Sequence, residues 1–333
     1  MNIAIVGATG KVGGKFIKVL EERNIKAKEF FLFASHKSAG KIVKMFGKEH
    51  TVLELNEKNI SGKKIDYALF SAGGSISKQY APIFVECGAV VIDNSSAWRM
   101  NKSVPLVVPE VNPDDILWHK GIIANPNCST IQAMLPLKAL DNEFGLKRVV
   151  FSTYQAVSGA GQRGFEDLQR GISGQKPLKF VHPIFSNLIP HIDEFCESGY
   201  TKEEEKMIFE TQKILHKPRL KITATTVRVP VFNCHSESIN VQLEKPFEIE
   251  QVKTALKKFE NIVLVDDPTQ NLYPMPILAD EKDEVFVGRI RRDSSCKNGL
   301  NLFVVADNIR KGAATNAVQI LQKIIKFKKE GKL

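Results

Sequence analysis

The sequence predicts an α/β parallel-sheet domain followed by a second domain of the α+β class, on three observations. The first is a short apolar run, "NIAIV" at residues 2–6, that passes through a glycine turn, "GATGKVG", into the amphipathic stretch "GKFIKVLEER". The second is the alternation of further strand-like runs ("EFFLFAS", "YALFSA", "AVVIDNS", "PLVVPEV") with helical stretches, the pattern of a parallel sheet covered on both faces. The third is a change of texture after about residue 147 to longer β-branched runs: "RVVFSTYQAV", "KITATTVRVPVF", "SESINVQLE", "EVFVGRIRRD" and "GLNLFVVADN". Polar interruptions in these runs suit a mixed or antiparallel sheet with one covered face. With 333 residues and 43% hydrophobic content the chain can bury a full core, and its length suits about two domains.

In chain order, the glycine turn comes first. Gly7, Gly10 and Gly13 make GxxGxxG between a strand and a helix. Glycine lets the backbone approach a pyrophosphate whose charge is met by the helix N-terminus, so this context predicts a dinucleotide-binding turn that also takes in Thr9, Lys11 and Val12. A turn that prefers NAD carries Asp or Glu about 20 residues on, against the ribose 2′-hydroxyl. Here the second strand ends without an acid and runs into "SHKSAGK", whose Ser35, Lys37 and Ser38 suit a 2′-phosphate. NADP is therefore favoured over NAD.

The stretch "ANPNCST" (124–130) places Cys128 between a strand-like run and a helix-like run. A helix N-terminus favours thiolate, because the dipole and unpaired N–H groups stabilise negative charge. Cys87 and Cys196 lie in helix-like or helix-end settings without a polar cluster and read as packing residues, and Cys296 falls in a loop. The five cysteines are widely spaced and form no CxxC pair, which argues against a disulfide framework or a zinc cluster; no metal is expected.

In the second half, Gln155 in "STYQAVSGAGQRG" precedes a small-residue turn (Ser158, Gly159, Gly161) that can approach a ligand closely. In "RVPVFNCHSESI", Arg228 stands seven residues before His235, so the two share a strand face only if a bend intervenes, for instance at Pro230. The last strong helical pattern is "GAATNAVQILQKIIKFKKE". If it returns to the first domain, the boundaries are 1–127 plus 314–333 for a dinucleotide-binding domain and 128–313 for a catalytic domain.

A formal charge of +10 suits an anionic partner, but the excess is scattered and no zinc-finger, RNP-type or basic-zipper spacing occurs, so nucleic acid is set aside in favour of small anions. No apolar run reaches membrane-spanning length, and the N-terminal residues lack the pattern of a secretory signal. A cytoplasmic protein with no membrane partner is expected.

"GATGKVG", "ASHKSAG", "NPNCST", "STYQAVSGAG", "RVPVFNCHSES", "VGRIRRD" and "DNIRKGAATNAVQI" occur in the order and approximate spacing of aspartate-semialdehyde dehydrogenases. The chain resembles that family from residue 3 to about 322. The resemblance implies a Rossmann-type domain, a catalytic and dimerisation domain, and a homodimer. It also implies NADP-linked, reversible conversion of aspartyl phosphate to aspartate semialdehyde and phosphate, in the biosynthesis of lysine, threonine and methionine. It further implies Cys128 as nucleophile, His235 as general acid/base and Gln155 as the group that orients the acyl-enzyme. Arg228 resembles the family's carboxylate-gripping arginine. Arg99 and Lys213 resemble phosphate contacts, Glu210 the partner of the substrate amine, and Asn127 a further substrate contact. Asn308 resembles the asparagine near the nicotinamide, with Ser71, Gly73, Ser158 and Gly159 counted beside it in cofactor binding. Lys37 stands where many relatives have arginine, and the stretch 200–216 matches the family weakly. An N-acetyl-gamma-glutamyl-phosphate reductase shares the glycine turn, cysteine and histidine and is the alternative enzyme. A non-catalytic relative is the alternative class.

Overall fold

The computed structural model describes residues 1–333. Its first strand, β1 (Asn2–Val6), is buried along its whole length, as a central strand must be when helices cover both sheet faces. After it come α1 (Lys11–Glu22), β2 (Glu29–Ala34), β3 (Ile42–Met45), β4 (Lys48–Thr51), β5 (Leu53–Glu54), α2 (Glu57–Ile60), β6 (Tyr67–Phe70), α3 (Gly74–Glu86), β7 (Val90–Asp93) and β8 (Ile122–Ala124). Residues 1–126 and 313–333 form one unit, and 127–312 a second.

In the first unit six parallel strands run in the order β5-β2-β1-β6-β7-β8. Side chains alternate faces with a period of two. Ile3 and Ile5 therefore pack with Phe16 and Leu20 of α1 and with Val318, Leu321 and Ile324 of the C-terminal helix α9 (Asn316–Lys329). Ala4 and Val6 pack on the opposite face with Ala81 and Phe84 of α3. Phe84 meets Phe33 and Phe70 edge-to-face, at centroid separations of 5.7 and 5.2 Å, a geometry worth about 0.5–1.5 kcal/mol per pair beyond burial. The strand order reverses beside β1, and ligands of such sheets bind at the carboxyl ends of the strands at that point.

Two local features depart from the sequence expectation. "PLVVPEV" is not a regular strand: only Leu106 bridges to Ala124, and the Asn112 side chain replaces a ladder by accepting from the Val108 N–H (2.9 Å) and donating to the Leu106 carbonyl (2.9 Å). Pro105 and Pro109 lack the N–H groups that a strand needs. The β3–β4 hairpin was not foreseen, because its two-residue turn places Phe46 (φ 50°) before Gly47 (φ 71°), whereas the usual signal is Asn or Asp before Gly.

The second unit contains α4 (Cys128–Phe144), β9 (Leu146–Gln155), α5 (Gln162–Ile172), α6 (Lys202–Ile214), β10 (Lys221–Arg228), β11 (His235–Leu243), α7 (Ile249–Lys258), β12 (Ile262–Leu264), α8 (Pro276–Ala279), β13 (Val285–Asp293) and β14 (Gly299–Ala306). Its sheet is mixed, as the texture after residue 147 predicts. The order is β10-β9-β11-β14-β13-β12, with β10 parallel to β9, β12 parallel to β13, and antiparallel pairs between. α4 is buried along most of its length, which is why its sequence shows almost no polar face. A π-helical segment, Arg310–Thr315, precedes α9, so the long helical pattern at the end of the sequence is regular only from Asn316. No helix is long and apolar enough to cross a membrane.

Gly7 sits at φ 86°, and a Cβ there would lie 2.4 Å from the Ser71 carbonyl oxygen. Gly7→Ala is therefore expected to destabilise the protein by about 1–3 kcal/mol, read from urea unfolding.

Candidate active site

In the second unit a polar site is assembled where β9 ends. Asn127 caps α4: its Oδ1 accepts from the Ser129 and Thr130 amides at 2.9 and 3.3 Å, a cap worth about 1 kcal/mol. Cys128 is thereby the first residue of the helix and half-buried, in the position where the helix dipole favours a thiolate. Gly312 closes one flank, since a Cβ there would lie 2.9 Å from the Cys128 Cβ.

Asn127 is held by α6. Its backbone N–H donates to Glu210 Oε2 at 2.7 Å, and its side-chain amide donates to Glu203 Oε1 at 2.9 Å. Gln155 shares that acceptor, with Nε2 donating to Glu203 Oε1 at 3.2 Å and to Thr153 Oγ1 at 3.3 Å. Burial alone would raise the Glu203 carboxyl, but Lys206, the Asn127 amide and the Arg228 charge outweigh it and hold the group below the ordinary carboxylate range. Lys213 lies one turn beyond Glu210 on α6 and is half-buried.

Arg228 closes β10 and His235 opens β11, on the two sides of β9. They do not share one bent strand. The connection 229–234 leaves the sheet between them, with Cys234 at φ 71°. The backbone of Ala156 serves both: its carbonyl accepts from Arg228 Nη1 at 2.8 Å, and its N–H donates to His235 Nδ1 at 3.0 Å.

An Nδ1 that accepts a hydrogen bond leaves the ring proton on Nε2. That Nε2 is buried and makes no hydrogen bond within the protein. Burial, followed by the Arg228 charge, lowers the imidazole well below its ordinary range and keeps it neutral. Gly159 keeps the space beside both groups open, since a Cβ there would lie 2.8 Å from Arg228 Nη1 and 3.1 Å from His235 Nε2. Asn308 accepts from the Cys234 N–H at 2.9 Å and donates to Ser158 Oγ at 3.1 Å, which ties those two cofactor candidates together.

The remaining cysteines lie elsewhere. Cys234 is buried, and burial, then Asp307, Asp280 and Glu281, pushes its thiol up. Cys296 is raised by burial and then by Asp293. Cys196 is half-buried, and Cys87 is exposed at the end of α3 rather than packed as its sequence context suggests, because the apolar face of that helix lies on other residues.

In the first unit no side chain caps α1, which begins Lys11-Val12-Gly13, and no acid lies in its first turn, so the positive end of the helix dipole suits an anion. A Cβ on Gly13 would lie 2.1 Å from the Gly7 carbonyl, so Gly13 seats the helix against the turn, and Thr9 lies within that turn. Ser35 and Lys37 are exposed and Ser38 half-buried in the turn after β2, while Ser71 and Gly73 lie between β6 and α3. Arg99 is buried, with Nε donating to the Asn125 carbonyl at 3.0 Å and Nη2 to the Asn94 carbonyl at 2.8 Å. The glycine turn and the helix N-terminus fit a nicotinamide dinucleotide.

Comparison with known proteins joins the two halves. Residues 2–119 match the family profile "Semialdehyde dehydrogenase, NAD binding domain", and residues 137–311 match "Semialdehyde dehydrogenase, dimerisation domain". The aspartate-semialdehyde dehydrogenase of Aquifex aeolicus is 56% identical over 98% of both chains, and that of Campylobacter jejuni 50% identical over 98% of both.

The chain belongs to the aspartate-semialdehyde dehydrogenase family.

The crystal structure of the Vibrio cholerae aspartate semialdehyde dehydrogenase II complexed with ASA superposes with a TM-score of 0.92, at 45% identity and 98% coverage of both chains. The Candida albicans enzyme, solved with NADP, gives 0.76 at 26% identity, covering 100% of this chain and 99% of its own. Membership of the aspartate-semialdehyde dehydrogenases makes this an oxidoreductase of amino-acid biosynthesis with a nicotinamide-cofactor domain.

Sequence reasoning missed Glu203 and Glu237. Thr201 and Glu204 of "TKEEEKM" form a capping box in the structure, and Glu203 and Glu210, seven residues apart, fall on the same buried face. That spacing was the available signal.

The neutral state of His235 has a consequence for stability. Below about pH 6.5 the unfolded chain protonates this histidine and the folded protein does not, so added protons favour unfolding. Stability should fall with decreasing pH by up to about 1.4 kcal/mol per unit from this group. His235→Gln is expected to shrink the loss between about pH 7 and 5, as measured by urea unfolding at each pH.

Proposed function

We propose that this protein reduces L-aspartyl 4-phosphate to L-aspartate 4-semialdehyde reversibly, through a thioester on Cys128 and with NADP as its cofactor, in the route to lysine, threonine and methionine. The observation that carries the reading is that Cys128, at the start of α4, lies near enough to act on the charge of Arg228, whose guanidinium shares the Ala156 backbone with His235.

The Cys128 thiolate attacks the acyl-phosphate carbonyl, the tetrahedral oxyanion collapses, and phosphate leaves, so one difficult substitution becomes two easier steps. NADPH, when bound, supplies the hydride that reduces the acyl carbon. His235 holds a proton at Nε2 and donates a hydrogen bond to the oxyanion that forms on that carbon. Reformation of the carbonyl then returns the electron pair to the Cys128 sulfur. This arrangement supports the acid half of the acid/base role expected of His235. Acting as a base at Nε2 would require the ring proton to move to Nδ1 and the Ala156 bond to be given up.

Arg228 suits a bidentate grip on the substrate α-carboxylate, and the Gln155 amide, oriented by Glu203, suits the acyl group. Glu210 is assigned to the substrate amine, Arg99 and Lys213 to phosphate, and Asn127 to the edge of the same substrate. Asn308, with Ser158 and Gly159, is assigned to the nicotinamide side. The glycine turn (Gly7, Thr9, Gly10, Lys11, Val12, Gly13) with Ser71 and Gly73 is assigned to the pyrophosphate side, and Ser35, Lys37 and Ser38 to the 2′-phosphate. We assign residues 1–127 with 314–333 to dinucleotide binding and 128–313 to catalysis and dimerisation, in a cytoplasmic homodimer. The exposed Leu178, Val181, Leu188 and Phe195 of the second unit support a covered face in the assembly.

Reduced-cofactor absorbance, followed with aspartate semialdehyde and phosphate, tests the activity, and N-acetylglutamate semialdehyde as substrate tests the alternative reductase. Cys128→Ala is expected to cut turnover by more than about 10⁴-fold while NADP still binds, and His235→Gln by about 10²–10⁴-fold. An unchanged rate in either variant removes that residue from the scheme. Lys37→Ala should lower kcat/KM with NADP about tenfold and leave NAD turnover unaffected; equal losses with both cofactors would place the lysine away from the 2′-phosphate.

A further inference from the structure

β11 carries a second ionisable group two residues beyond His235 and on the same face. Glu237 is completely buried, and neither of its carboxyl oxygens accepts a hydrogen bond. On the sheet it lies between Thr153 of β9 and Val304 of β14. α4 presents the Gln132 amide to it, and the ionised group that acts on it is Glu203 of α6, a like charge. A carboxylate in that position would be a buried anion without a hydrogen bond, which is among the most costly states a side chain can adopt.

Gln132 has a complementary deficit. It is completely buried, its Nε2 donates to the His235 carbonyl at 3.2 Å, and its Oε1 accepts nothing. A neutral acid supplies what this oxygen lacks, because it carries one O–H donor. One proton on Glu237 thus removes the buried charge and satisfies the orphaned amide oxygen together.

We propose that Glu237 is a positioning residue for His235: as a neutral carboxylic acid it donates to Gln132 Oε1, and Gln132 in turn holds the His235 backbone. The connection runs from O–H to amide to carbonyl, and it fixes the segment of β11 that aims Nε2 into the site. Burial, opposed by the Gln132 amide and reinforced by the Glu203 charge, raises the Glu237 carboxyl well above its ordinary range, in keeping with an acid–amide pair in which O–H faces Oε1. The proposal rests on the catalytic reading of His235, but the protonation state of Glu237 can be read without it.

Two variants and one spectrum test the idea. Infrared spectra of the substrate-free enzyme at about pH 7 should show a carboxylic-acid C=O band that Glu237→Gln removes; the absence of such a band would overturn the proposal. Glu237→Gln keeps an N–H donor for Gln132 Oε1, so kcat should stay within about threefold of wild type with an unchanged pH–rate profile. Glu237→Leu keeps the volume without the donor. It should lower kcat about ten- to a hundredfold with little change in the KM for NADP, and should shift the pH–rate limb that reports His235. A glutamine variant as impaired as the leucine variant, or a leucine variant with wild-type kcat and pH profile, would sink the assignment. If the leucine variant fails to fold, the glutamine variant and the infrared band still decide it. Loss of the catalytic reading itself would show differently, as a wild-type rate in His235→Gln beside an intact acid band.

Discussion

The polar site of the second unit depends on the backbone of a single residue. Ala156 follows the last residue of β9, where the strand has neighbours on both sides, and its carbonyl and N–H point outward to them in turn. One bond orients a guanidinium and the other an imidazole. The two bonds leave the N–H and the C=O of one residue, so the φ and ψ of Ala156, −61° and 149°, set the placement of one side chain relative to the other. A strand that is parallel to one neighbour and antiparallel to the other is what allows an arginine ending one strand and a histidine opening the next to meet at the same place.

Charge in this site is managed by pairing one class of group and neutralising the other. Glu203 keeps its charge because Asn127, Gln155 and Lys206 donate to it and Arg228 is near. At His235 and Glu237, two residues apart on one strand face, burial outweighs the little compensation present, the Gln132 amide beside Glu237, and drives both to their uncharged forms. The same burial that makes an unpaired charge costly therefore sets the protonation states on which the chemistry relies.

Much of this was legible in the sequence, and the unread parts have identifiable causes. Periodicity located α1, β9 and β11, while β1 and α4 showed as largely apolar runs because they are buried almost throughout. "PLVVPEV" misled because an apolar run shows burial and not hydrogen bonding; Asn112 does the work of a neighbouring strand there. The seven-residue spacing of Arg228 and His235 suggested one bent strand, since sequence spacing carries no information about which strand lies between two others. Glu203 was hidden among neighbouring glutamates whose solvent-facing character is the usual one. Glu237 was hidden because an acid in an alternating strand reads as polar and outward, whereas here it keeps step with the inward residues.

The contact between Gly312 and Cys128 bears on inhibitor design. Backbone packs against one flank of Cys128, the nucleophile proposed above, so closely that a methyl group on residue 312 would collide with the Cys128 Cβ. An electrophilic warhead must therefore arrive from the face that the substrate uses and fit within the shape of the acyl group. Small, carboxylate-bearing electrophiles that mimic the four-carbon chain are favoured over bulky thiol reagents, and selectivity over the other four cysteines follows from shape as much as from reactivity.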